Sequence, residues 1–327
     1  VSTPVSGPVP GGYAGGDVLA EVVRSGFTEG YHRGSVVVLD PAGVAVSVAG
    51  DVTAPVFPRS ANKPMQAAAM LAAGLDLADP ADLALACASH YGEPAHVRRV
   101  RAMLAAGGLS EADLRCPADL PLAVDARDDL VRARVAPAPV YMNCSGKHAA
   151  MLLTCRAAGW PTDGYLRAEH PAQVAIRAGV QRLVRQEAAA VGVDGCGAPV
   201  LAFSLVALAG AVQAVAEAPA GTPAGRVADA MRAYPELGSG TGGDDARLMR
   251  AVPGLLAKGG AEGVHAVAVP GIGAVALKID DGTFRARLPV LVSALARLGL
   301  TGPALDALAE VPVLGGGQPV GRVRAVW

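Results

Sequence analysis

The chain has 327 residues, of which 52% are hydrophobic and 17% charged, with a formal net charge of −1. That is ample apolar material for a buried core and excludes an intrinsically disordered chain. A near-zero charge without a basic stripe leaves no electrostatic basis for a nucleic acid or an anionic membrane as partner.

Residues 1–16 are rich in Pro and Gly and are expected to form an irregular arm ahead of a single two-lobed domain over 17–327. No charged segment precedes an apolar one at the N-terminus, so that stretch does not read as a signal peptide. The longest apolar stretches, such as 198–216, are Ala-rich, carry Ser204 and Gln213, and read as buried helices rather than spans. The five cysteines, 87, 116, 144, 155 and 196, are an odd number in a long chain and argue against a disulfide framework. A cytoplasmic protein is expected.

Strands are predicted over 18–24, 34–39 and 44–49, the last two joined by the turn Asp40-Pro41-Ala42-Gly43. A helix over 65–74 follows, starting within 60–63 because Pro64 belongs in a first turn. From 76 to 235 the pattern is mainly helical: 80–89, 95–106, 110–114, 146–159, 171–191, 200–216 and 225–234. After a Gly-rich turn, 238–245, come a short helix over 245–251, strands over 264–269 and 273–279, a helix over 289–298 and a final strand over 320–326. Strands from both chain ends around a helical insertion make an α+β unit.

The chain has 28 Lys and Arg together, of which only Lys63, Lys147, Lys258 and Lys278 are lysines. Where Arg serves as the general cation, a retained Lys marks a place where an amine must lose its proton. Lys63 closes the run Arg59-Ser60-Ala61-Asn62-Lys63-Pro64. Residues three apart at a helix start lie on one face, so Ser60 and Lys63 are a candidate nucleophile and base. The amine of Lys258-Gly259-Gly260 is a candidate for the same pocket.

Asn143-Cys144-Ser145-Gly146-Lys147-His148 opens a helix, and Asp194-Gly195-Cys196-Gly197-Ala198-Pro199 follows about fifty residues on. Two thiols with an imidazole or amine satisfy much of a zinc shell, and chemistry alone favours His148 as third ligand. Ser89-His90 is not a triad fragment, since adjacent side chains point apart; Ser89 matters only if it faces the Ser60 pocket. His32, His96, His170 and His265 have no constellation and are expected to be surface or structural.

These runs, with Ala257-Lys258-Gly259-Gly260-Ala261-Glu262-Gly263, occur over roughly residues 18–298 in the order of the thermolabile, Rhizobium-type L-asparaginase family (asparaginase II), which the sequence resembles. The resemblance implies a fold similar to serine β-lactamases and penicillin-binding proteins, and hydrolysis of L-asparagine to L-aspartate and ammonia. It implies Ser60 as nucleophile with Lys63, Ser89 with Lys258 as a second pair, and Arg59 and His148 at the substrate pocket. It also implies zinc on Cys144, Lys147 and Cys196, with Asp194 behind them, so that Lys147 displaces His148 as ligand. A homodimer is expected from the same source. Residues after about 300 match no motif.

Two alternatives stay open at this stage. A β-lactamase or D,D-peptidase-like acyl transferase uses the same Ser-x-x-Lys chemistry, but no Lys-Thr-Gly strand motif is present; the nearest run is Ser239-Gly240-Thr241-Gly242. A catalytically silent metal-binding protein is the other.

Overall fold

Val36-Val37-Val38-Leu39 is a run of four apolar residues, and a strand of that kind needs cover on both faces. The computed structural model, which describes residues 12–327, supplies it. Strands β1 (Asp17–Arg24), β2 (Phe27–Leu39) and β3 (Ala45–Ala49) open the chain. Near the other end lie β6 (Leu256–Gly259), β7 (Val264–Val269), β8 (Gly273–Ile279), β9 (Val311–Gly315) and β10 (Gln318–Ala325), while β4 (Ala190–Val193) and β5 (Pro199–Ala202) form a separate hairpin. The eight remaining strands make one sheet in the order β6-β7-β8-β2-β1-β10-β9, with β3 also on β2. Its first and last strands in sequence are neighbours, Val22 opposite Val323. The α+β architecture, with a sheet drawn from both chain ends and a helical insertion, is as expected.

Alternation along the strands divides two cores. Val37, Leu39, Val264, Ala266, Ala274 and Ala276 face the helical lobe. Val36, Val38, Val267, Val275 and Leu277 face α11 (Arg287–Ala296) and α12 (Pro303–Ala309). The lobe itself contains α1 (Lys63–Ala72), α2 (Pro80–Ala86), α3 (Pro94–Ala106), α4 (Val124–Arg132), α5 (Ser145–Ala157), α6 (Pro171–Val184), α7 (Leu205–Ala216), α8 (Pro223–Ala233) and α9 (Pro235–Gly238); α10 (Asp244–Ala251) leads back to β6. Every residue of α1 from Lys63 to Leu71 is buried, so it is the lobe's central helix, packed on α5, α6, α7 and α8.

Several expectations need correction. The helix predicted over 171–191 ends at Val184, where Arg185 turns left-handed at φ 51°, and the one predicted over 200–216 starts at Leu205. Between them β4 and β5 pair, Val191 opposite Leu201. Alanine's helical bias hid a hairpin whose β-branched residues alternate across the turn. Cys196 therefore sits in a hairpin turn, not one that leads directly into a helix. The elements α4, β6, β9 and α12 were not anticipated; the last two lie where no motif was legible. Of the expected arm over 1–16, residues 1–11 lie outside the described residues, and Gly16 N–H is anchored on Asp280 Oδ2 at 2.9 Å. Among the described residues no helix is long and apolar enough to cross a membrane.

Candidate active site

Ser60 lies on a 3-10 turn, Arg59–Asn62, that runs directly into α1. Arg59 has φ 52°, a left-handed value that costs a non-glycine residue energy and persists only where surrounding contacts impose it. Those contacts are visible. Val56 and Phe203 exchange backbone hydrogen bonds at 3.0 and 3.1 Å, and Arg59 Nε donates to Asp194 Oδ1 at 2.7 Å. On the other side the connection from β6 to β7 presses in. A Cβ on Gly260 would stand 2.5 Å from the Pro58 carbonyl oxygen and 3.4 Å from Ser60 N, so only glycine lets that connection lie against the serine peptide.

Ser60 and Ser89 line one cavity of about 420 Å³, with Lys258 in its wall. Lys258 reaches it because it is two residues on from Leu256, whose side chain faces the helical lobe. Lys63, 1% exposed, donates from Nζ to the Ala88 carbonyl at 2.5 Å, to Ser89 Oγ at 3.1 Å and to Cys144 Sγ at 3.1 Å. Burial pushes its amine below the ordinary lysine value. The charges of Lys147 and Lys258 add to that effect, and Cys144 opposes it. This favours the neutral amine that a base requires.

The pairing differs from the one expected. Among the described residues no side-chain hydrogen bond joins Ser60 to Lys63, whose backbone N–H alone donates to the Ser60 carbonyl; the Lys63 amine meets Ser89 instead. Lys258 is likewise not on Ser89. Its Nζ forms a buried ion pair with Asp245 Oδ2 at 2.8 Å. Asp245 also accepts the Gly259 N–H at 2.8 Å, and His265 Nε2 stands 3.0 Å from the same oxygen, Oδ1. Burial alone would raise the Asp245 carboxyl; Lys258 and His265 hold it well below the carboxylate range. Two further charged residues of the cavity wall, Asp244 and Arg287, pair at 3.2 Å. Sequence reasoning missed Asp244, Asp245 and Arg287. The one available signal was a tandem acid closing the Gly-rich turn over 238–245.

The residues expected to hold zinc do converge. Cys144 caps α5, which puts Lys147 one turn on along the same face, and Cys196 arrives from the β4–β5 turn. Gly146 permits this. A Cβ there would lie 2.5 Å from the Leu85 carbonyl oxygen, so α5 starts hard against α2. Lys147 Nζ lies 3.1 Å from Cys196 Sγ. The Cys144 thiol donates to Asn143 Oδ1 at 3.2 Å; interaction with Cys144, helped by Lys147, brings the Cys196 thiol down to about 5, while Cys196 and burial send Cys144 up to about 12. Burial disfavours charge on Lys147, yet Cys196, Cys144 and Asp194 hold its amine above the usual lysine value. The cluster thus sets the Lys147 amine against the Cys196 thiol, with the Cys144 thiol beside them. It is joined to the serine cavity through Lys63 and Cys144.

Two residues expected at the substrate pocket lie outside the lining of the Ser60 cavity. His148 is fully buried, bonds the Tyr165 hydroxyl through Nδ1 at 2.7 Å and does not line the Ser60 cavity; burial lowers its imidazole to about 3. Arg59 lines a neighbouring cavity of about 490 Å³, not the one that holds Ser60. Ser89 does face the cavity, as its functional reading required. His265, expected without a constellation, is fully buried against Asp245. Lys278 is the fourth lysine and the exception: it is part-exposed on β8, while the other three are at most 2% exposed.

Sheet and lobe thus define an α+β protein whose cavity is lined by three serines, Ser60, Ser89 and Ser239, beside a buried amine. The sequence profile of the L-asparaginase II family matches residues 20–325, and the chain belongs to that family, a group of amidohydrolases acting on small molecules. No curated protein matches it. Solved structures similar to it include Mglu, at 19% identity over 81% of this chain and 67% of that one with TM-score 0.36. Mglu in its glutamate form gives 18% identity over 81% of this chain and 61% of that one, also at TM-score 0.36. A beta-lactamase from Mycobacterium bovis gives 14% identity over 82% of this chain and 95% of that one, at TM-score 0.34.

Proposed function

We propose that the protein hydrolyses the side-chain amide of L-asparagine to L-aspartate and ammonia through an acyl-enzyme on Ser60. The observation that carries this reading is the buried, charge-disfavoured amine of Lys63 bonded to Ser89, which shares a single cavity with Ser60. With Lys63 neutral, Nζ keeps two N–H donors and accepts from the Ser89 hydroxyl at 3.1 Å; Ser60 Oγ attacks the amide carbon, and its proton passes through Ser89 Oγ to Lys63. The protonated Lys63 then returns a proton to the departing nitrogen, so that ammonia leaves. Water attacks the resulting ester by the same relay, releasing aspartate. Lys258, tied to ionised Asp245, acts as fixed positive charge in the wall rather than as base.

Family membership and the strained turn before Ser60 support Ser60 as nucleophile; the direct Lys63–Ser89 bond favours Ser89 as a second reading. Ammonia release by Ser60→Ala and Ser89→Ala decides. Loss of the acyl adduct with slow amide substrates in Ser60→Ala alone supports the first reading, and near-normal asparagine turnover by that variant ends it. Glutamine and a chromogenic cephalosporin serve as comparison substrates. Cephalosporin hydrolysis without ammonia release would instead identify an acyl transferase of the β-lactamase kind.

In this reading Cys144, Lys147 and Cys196 hold a zinc ion, with Asp194 behind them. The donor set fits, since two thiols, one already acidic, stand with an amine whose proton the metal displaces. Among the described residues no cluster of three His, Cys, Asp and Glu side chains is placed to hold a metal, so this set depends on the Lys147 amine as its third donor. Bound zinc would supply fixed charge that keeps its supporting groups in place. The family resemblance also supports a cytoplasmic homodimer, which light scattering in solution tests as to its oligomeric part.

A further inference from the structure

The wall of the Ser60 cavity carries two carboxylates and two cations, arranged as two pairs. The deeper pair is saturated. Asp245 gives one oxygen to Lys258 and the other to the Gly259 N–H, both at 2.8 Å. The outer pair has spare capacity. Asp244, 29% exposed, gives Oδ2 to Arg287 at 3.2 Å, while its Oδ1 meets nothing closer than Arg247 at 3.8 Å. Arg287 is 8% exposed, held through NH1 by the carbonyls of Gly260 and Val264 and flanked by the Phe284 ring at 4.1 Å. Its Nε is buried without a partner among the described residues.

A wall with equal numbers of fixed charges of each sign suits both ends of a zwitterion, whereas a ligand that is only an anion leaves the carboxylate side without a partner. A buried guanidinium matches a carboxylate, and a half-free carboxylate oxygen matches an ammonium. We infer that Asp244 and Arg287 form the specificity pair of the cavity, Asp244 reading the α-ammonium and Arg287 the α-carboxylate of a free amino acid whose side-chain amide points to the serines. This rests on the amidohydrolase reading above and adds to it the two residues that select an unblocked α-amino acid over an acylated or peptide amide.

The test is calorimetric titration of the full-length protein with L-aspartate, succinate and β-alanine, which share a carboxylate but differ in the α-groups. Wild type binds aspartate, and binds succinate and β-alanine at least roughly tenfold more weakly, as expected when a charge-assisted partner is missing. Asp244→Asn weakens aspartate roughly tenfold or more and leaves succinate unchanged or tighter. Arg287→Gln weakens aspartate and leaves β-alanine unchanged. Should that buried variant fail to fold, Asp244→Asn and the wild-type comparison decide alone. Equal affinity of wild type for aspartate and succinate, or equal weakening of both by Asp244→Asn, overturns the pair, as does no aspartate binding. Asparagine turnover is measured separately. The binding pattern without ammonia release sinks the amidohydrolase reading and leaves the pair, and turnover without the pattern does the reverse.

Discussion

Removing the charge of Asp245 while keeping its shape probes the part of the site that holds Lys258. In Asp245→Asn, Lys258 and Asp245 are 2% and 7% exposed, so the ammonium left behind cannot recover its hydration, and the amide matches neither it nor His265 as well as a carboxylate does. Breaking one side of a buried ion pair costs about 3–5 kcal/mol, and the Gly259 N–H loses a charged acceptor as well. Lys258→Met removes the other partner. In the double variant neither charge remains, so its destabilisation falls short of the sum of the single ones by about 2 kcal/mol or more. Urea unfolding of all four proteins, with two probes to check for intermediates, measures this. The pH dependence has a definite sign. A depressed carboxyl contributes stability that is full above its unfolded value, about 4, and is lost as pH falls through its lower folded value. The gap between wild type and Asp245→Asn is therefore complete at neutral pH and shrinks only in strong acid. Additive single effects, or a gap that opens only below neutrality, would refute the view that Asp245 and Lys258 act as one charged unit.

Four other outcomes are expected. The acid limb of kcat/KM reports Lys63: activity rises as the amine deprotonates, with an apparent value below that of free lysine, and Lys63→Met lowers kcat by about 10²–10⁴-fold with folding checked by circular dichroism. Gly260→Ala costs about 1–3 kcal/mol by overpacking and lowers activity, since its Cβ would meet the Pro58 carbonyl at 2.5 Å; a melting scan with an ammonia assay shows whether both fall together. Cys196→Ser reduces zinc content by elemental analysis, and chelator treatment lowers the melting temperature of wild type but not of the variant. His148→Phe leaves KM for asparagine within about twofold while lowering stability, because the imidazole serves Tyr165 in the core and not the substrate.

The motif residues were legible because their chemistry is rare in this chain. Three of its four lysines are buried: Lys63 and Lys147 against Cys144 and Cys196, and Lys258 against Asp245. The strands over 264–269 and 273–279 matched β7 and β8 because a short apolar run bounded by turn residues is a local property of the chain. Helices within 171–216 were overextended, since alanine scores as helix whatever the tertiary partner, and only pairing with the opposite strand reveals the hairpin carrying Cys196.

The sequence by itself determined the inventory: which hydroxyls, amines and thiols the protein has available, and that strands from both ends enclose a helical insertion. Only the tertiary structure decided who touches whom. Ser60 and Lys63 share a helix start, but direction at a 3-10 turn depends on the left-handed Arg59 that Asp194 holds from 135 residues away. Lys63 met Ser89 and Cys144, and Lys258 met Asp245, because those contacts are made across packed elements. Spacing along one element states which side chains share a face, and the neighbouring element states which of them find a partner.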